Sequence, residues 1–137
     1  GLGNDAIDGG AGNDTFVFAR GDGADTASDY DTTAGNVDLL SFGANIATDQ
    51  LWFRKVGTNL EVSVIGTSDK VSITSWYSST SYHIEQFQTA NGAVLLDSQV
   101  NALVDAMAAF SPPAAGQTTL PPDYQSSLTP VIAANWH

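Results

Sequence analysis

The sequence predicts an all-β protein: short parallel strands set by a nine-residue repeat, then an antiparallel β cap, then one C-terminal amphipathic helix and an irregular tail. Three observations carry that expectation. The opening "GLGNDAIDGGAGNDTFVF" states Gly-x-Gly-Asn-Asp-x-apolar at residues 1–7 and again at 10–16. Residues 51–96 are β-rich runs divided by short polar turns, and beyond residue 97 apolar residues return at steps of three and four.

Aligned on their aspartates, the first elements number four. Asp5, Asp14, Asp25 and Asp38 each stand two residues before Ile7, Phe16, Ala27 and Leu40, so short strands would aim those four at a common interior. The spacings lengthen from nine to eleven to thirteen residues, and the glycine pattern fades with them. The next elements read differently. "LWFRKV" at 51–56, "LEVSVIG" at 60–66 and "KVSITSWY" at 70–77, joined by "GTN" and "TSD", carry the signature of antiparallel strands. "YHIEQFQT" at 82–89, Ala-Asn-Gly and "AVLL" at 93–96 form a further hairpin signal.

The helix is expected to start at Asp97 or Ser98, either of which can cap it, and to bury Val100, Leu103, Val104, Met107 and Phe110. Pro112 and Pro113 end it. Residues 111–130, rich in Pro, Ser, Thr and Gln, are expected to be irregular, with a short helix after Thr129 that takes Pro130 into its first turn. The chain thus divides into repeats at 1–42, a capping module at 43–96, and a helix with tail at 97–137. Gly1 stands inside a repeat, without the glycine that should precede it, so the sequence is expected to be a piece of a longer protein.

Composition narrows the chemistry. Fifteen acidic residues against four basic ones, a net charge of −11, argue against nucleic acid and anionic membranes as partners. Eight of the fifteen acids fall within residues 1–38, so the acidity is local and points to a cation. There is no Cys, hence no disulfide frame and no thiolate metal site. No apolar run reaches the length of about eighteen residues that spans a bilayer. HExxH and GxSxG are absent, and His83, with Glu85 as its near neighbour, reads as a packed or surface residue and not a catalytic one.

A six-residue loop with alternate glycines and a closing Asp turns tightly enough to direct several carbonyls and one carboxylate at a point. Such an all-oxygen set suits calcium better than magnesium, which demands a smaller octahedron and keeps its water. If each repeat makes half a turn, alternate loops stack. One site would then join Asp5 and Asp25 with carbonyls from Gly1, Gly3 and the Gly21–Gly23 loop. The other would join Asp14 and Asp38 with carbonyls around Gly10 and Gly12, and Asp29 or Asp31 beside them. Without an ion, two carboxylates about 5 Å apart repel by roughly 3 kcal/mol at an effective dielectric near 20.

Residues 9–17, "GGAGNDTFV", and residues 1–8 in shortened form resemble the nonapeptide of the RTX, or haemolysin-type calcium-binding, family. A third copy, "RGDGADTAS", keeps Gly21, Gly23 and Asp25, and residues 38–92 look like the haemolysin-type calcium-binding protein-related segment that closes many such arrays. The resemblance implies a right-handed parallel β-roll with Ca2+ in its turns and no catalytic role for this module. It also implies export from Gram-negative bacteria by type I secretion machinery, which reads an uncleaved C-terminal signal, here the tail 97–137. Upstream domains of the same longer chain would be its other partner. The alternatives are an adhesin-like glycan-binding β-domain, with Trp52, Trp76, Tyr77 and Tyr82 as an aromatic platform, or the non-catalytic tail of a secreted hydrolase or epimerase.

Overall fold

The computed structural model describes residues 6–8, 14–19, 23–28, 37–43, 46–67, 69–78, 82–110, 113, 116–117 and 119–136. Four short strands come first: β1 (Ala6–Asp8), β2 (Thr15–Phe18), β3 (Ala24–Ser28) and β4 (Leu39–Phe42). They sort alternately into two sheets. β1 pairs with β3 and β2 with β4, both in parallel, with Ile7 beside Ala27 and Phe16 beside Leu40. Period-two alternation decides the faces: in β2, Phe16 and Phe18 are buried while Thr15 and Val17 are exposed.

The later strands are β5 (Leu51–Val56), β6 (Asn59–Val64), β7 (Lys70–Ile73), β8 (Gln86–Gln88) and β9 (Val94–Leu96). β5–β6, β6–β7 and β8–β9 are antiparallel. β7 and β8, however, join the first strands in parallel, on β3 and β4 respectively. The sheets therefore run in the orders β1-β3-β7-β6-β5 and β2-β4-β8-β9, and both continue across residue 42. At that crossing the backbone comes close: Gly43 N donates to Phe18 O at 2.8 Å, and a Cβ at Gly43 would meet Ala19 Cβ at 3.0 Å.

Two runs are shorter as strands than their composition suggests. "KVSITSWY" is extended only to Ile73 and then turns, with Ser75 at φ 61° and its N–H held by Asn59 Oδ1 at 2.9 Å. In "YHIEQFQT" only Gln86–Gln88 is strand.

The C-terminal part departs further from expectation. Asp97–Gln99 is a 3-10 turn and α1 spans Val100–Met107, so the helix starts later than either proposed cap. Asp97 does not cap it because its carboxylate is engaged by His83 instead, 3.2 Å from Nδ1. Val100, Leu103, Val104 and Met107 are buried as the spacing predicts. α1 lies along β5, the outer strand of its sheet, where the Phe53 N–H donates to Met107 Sδ at 3.2 Å.

The irregular tail is a correction. Pro122–Asn135 forms α2, with Pro122 at its start and Pro130 inside it. Tyr124, Leu128, Ile132 and Trp136 recur every four residues and pack into the core, Tyr124 against Trp52 at 6.0 Å and Trp136 against Phe53 at 6.3 Å between ring centres. That burial outweighs an internal proline, whose penalty is about 3 kcal/mol. The buried side chains of both sheets and both helices form one cluster, from Phe16 to Trp136.

Candidate metal centre

Asp14 and Asp38 each sit one residue before a strand, β2 and β4, and the register sets them side by side. The Asp14 N–H donates to Asp38 Oδ1 at 2.7 Å, and Leu39 N–H donates to Asp14 O at 2.8 Å. Asp38 is 1% exposed, and Asp14 Oδ2 is buried with no partner among the described residues. A buried carboxylate oxygen left unpaired is destabilising until something positive or protonated meets it.

The row continues onto β8. Glu85 stands one residue before that strand, and its Oε1 accepts from the Asp38 N–H at 2.8 Å while Gln86 N–H donates to Asp38 O at 3.0 Å. Asp97 follows beyond β9, its N–H donating to Glu85 O at 2.9 Å. Burial pushes the Glu85 carboxyl up to about 7; the Asp38 N–H pulls the other way, and the carboxylates of Asp38 and Asp97 add to the rise. Four acids thus follow one another across one end of the four-stranded sheet, from β2 to just past β9.

The other sheet is built differently. Asp25 points inward within β3, 3% exposed, and its register partner on β7 is Val71. Gly23, at φ 83° where an L side chain would be strained, donates its N–H to Asp69 Oδ1 at 3.0 Å, and Lys70 N–H donates to Gly23 O at 3.0 Å. Asp69 itself is fixed by the turn between β6 and β7, where its N–H donates to Thr67 Oγ1.

Of the sequence-predicted ligands, then, Asp14 and Asp38 are brought together, while Asp25 and Gly23 stand in the opposite sheet. Asp5, Gly1, Gly3, Gly10, Gly12, Gly21, Asp29 and Asp31 lie outside the described residues. Among the described residues no three acidic, His or Cys side chains converge as a metal-holding group. The Asp14–Asp38 donor set is oxygen alone, with one buried oxygen unpaired, and that fits a hard cation such as calcium. Glu85, Asp69 and Asp97 are not among the sequence-predicted ligands. The signal for the first two was present, since Glu85 and Asp69 precede Phe87 and Val71 by the same two residues that separate Asp14 from Phe16.

The aromatic platform finds no support in this geometry. Trp52 and Trp76 are each 2% exposed, and Trp76 is stacked under His83 at 3.9 Å with 6° between the rings. His83 Nε2 lies 3.0 Å from Trp76 O, so the ring is held on both sides by the fold. Among the described residues no helix is long and apolar enough to cross a membrane.

Residues 59–99 match the family model of the haemolysin-type calcium binding protein related domain. The chain is also similar to the iron-regulated protein FrpA of Neisseria meningitidis serogroup C, 36% identical over 93 residues. That match takes in 66% of this chain and 8% of the relative, so the chain spans only a small part of the relative's length. The matched stretch runs from β6 through the 3-10 turn before α1 and takes in Asp69, Glu85 and Asp97.

Proposed function

We propose that this chain is a calcium-binding, non-catalytic module of a larger secreted RTX protein, and that it folds outside the cell when calcium is met there. The observation that carries the reading is the Asp14–Asp38 pair, side by side on parallel strands, with Asp38 buried and Asp14 Oδ2 unpaired. Asp14 and Asp38 would hold one ion with carbonyls around Gly10 and Gly12 and the carboxylate of Asp31. Asp5 and Asp25 would hold another with Gly1, Gly3, Gly21 and Gly23. Calcium, when bound, supplies the positive charge that these carboxylates lack. The alternating parallel pairing of β1–β4 supports a right-handed β-roll over residues 1–42.

In this reading residues 43–96 close the roll. β7 and β8 cover strand edges that would otherwise stay unpaired, and Asp69 and Glu85 occupy the strand amides there. Residues 97–137 carry the export signal for the type I secretion machinery, and the other domains of the longer chain are its further partner. In the calcium-poor cytosol the acids of residues 1–38 repel one another and keep that stretch extended; outside, calcium near 0.1–1 mM suffices for modules of this class.

Circular dichroism of the chain in chelator and in about 1 mM calcium tests the reading. The β signal is expected to grow strongly with calcium. An equally β-rich spectrum in chelator would overturn it.

A further inference from the structure

Away from the acidic row, a cavity of about 490 Å³ opens where three distant segments meet: the 3-10 turn Thr48–Gln50, the turn joining β8 to β9, and the last turns of α2. Its size falls within the range of small-molecule sites. The wall carries the hydroxyls of Thr48 and Thr129, the carboxylate of Asp49 and the amide of Asn91; Ile132 and Trp136 form the apolar part. Trp136 is 6% exposed, and its Nε1–H is buried with no acceptor among the described residues. Native interiors rarely leave an indole donor unpaired, so this one marks a place where an oxygen is wanted.

The geometry points to a binding site for a neutral hydroxylated ring, a sugar residue, in this cavity. Trp136 can only donate, Asp49 as a carboxylate only accepts, and Thr48, Thr129 and Asn91 do both. A sugar hydroxyl answers each of these, and the C–H face of the ring suits Ile132 and the indole. Asp49 and a net charge of −11 disfavour an anionic ligand. Asn91 Oδ1 already accepts from the Thr89 hydroxyl and, at 3.4 Å, from Ala93 N–H, which leaves its NH2 group to donate. Trp136 Nε1 is buried, so a ligand hydroxyl reaches it only when the wall of the cavity shifts. The site shares no residue with the acidic row, nor with the buried Trp52 and Trp76.

The test is NMR of the whole chain in calcium, following the Trp136 indole N–H resonance while methyl glycosides of hexoses and N-acetylhexosamines are added. At least one is expected to move that resonance with a midpoint of about 1–10 mM. Thr129→Ala and Asp49→Asn, both at exposed side chains, are expected to weaken that ligand about tenfold without lowering the melting temperature. Trp136→Phe removes the donor and keeps most of the packing; should it fail to fold, the two exposed variants decide. The inference is overturned if no glycoside moves the resonance at about 100 mM, or if the response survives unchanged in both exposed variants.

Discussion

The two sheets place acids at the starts of their parallel strands but line them up differently. In the four-stranded sheet Asp14, Asp38 and Glu85 each stand one residue before their strands, so the register puts them in a row. In the five-stranded sheet Asp69 also stands one residue before its strand, yet it faces Gly23, and Asp25 faces Val71. An offset of two residues separates a row of like charges from a carboxylate satisfied by a glycine N–H. The first arrangement needs a cation or a proton. The Asp69–Gly23 hydrogen bond by itself needs neither.

Removing the acid at the centre of the row should have the largest effect. Asp38→Ala takes away a buried carboxylate and the acceptor of the Asp14 N–H, so the calcium midpoint for folding is expected to weaken about 100-fold or more, near 3 kcal/mol. Asp38→Asn separates the two losses, since it keeps an acceptor and drops the charge. It should lose the calcium response as fully, while its metal-free form is more stable than wild type near pH 7. Calcium titrations followed by circular dichroism measure both. A midpoint unchanged in Asp38→Asn would break the comparison at its strongest point.

Glu85 gives the next effect, and its sign follows from the raised carboxyl. Its folded value, about 7, lies above the ordinary 4.5, so the folded protein holds this proton more tightly than the unfolded chain does. In chelator the contribution of Glu85 is therefore most favourable below about 4.5 and is lost as pH rises from there through about 7. Glu85→Gln keeps an acceptor for the Asp38 N–H without the charge. Its stability advantage over wild type should be absent in mild acid, grow across that window, and level off above it. Denaturant unfolding at a series of pH values reads the difference. A constant advantage across the window would mean that the row does not communicate its charge.

Much of this was legible in the sequence, and the limits of legibility are physical. The acid-x-apolar pattern exposes β2, β3 and β4, because a side chain two residues past the Asp must return to the same face. The same pattern runs on through Asp69–Val71 and Glu85–Phe87, but there the glycines that announce a tight loop are gone, and the antiparallel hairpins are the stronger local signal. That β7 and β8 return to pair with β3 and β4 is a long-range choice no local spacing encodes. α2 was obscured by Pro130, although Tyr124, Leu128, Ile132 and Trp136 already lay on one face. A proline weighs heavily in a local reading and lightly against four side chains packed into a core.

The offset acid supplies the smallest effect and the clearest control. Asp69 is 8% exposed and accepts from Gly23 N–H at the start of β3, so Asp69→Ala leaves a strand amide unpaired and should reduce stability by about 1–2 kcal/mol. That loss should be the same at every saturating calcium concentration, because the interaction is a hydrogen bond and not a charge awaiting its partner. Asp69→Asn, which keeps the oxygen, should recover most of it, in contrast with Asp38→Asn, which recovers no calcium response. Unfolding of the four variants side by side in saturating calcium measures the contrast. If Asp69→Asn instead lost the calcium response as Asp38→Asn is expected to, Asp69 would act as a charge as Asp38 does, and the two-residue offset between the rows would carry no functional weight.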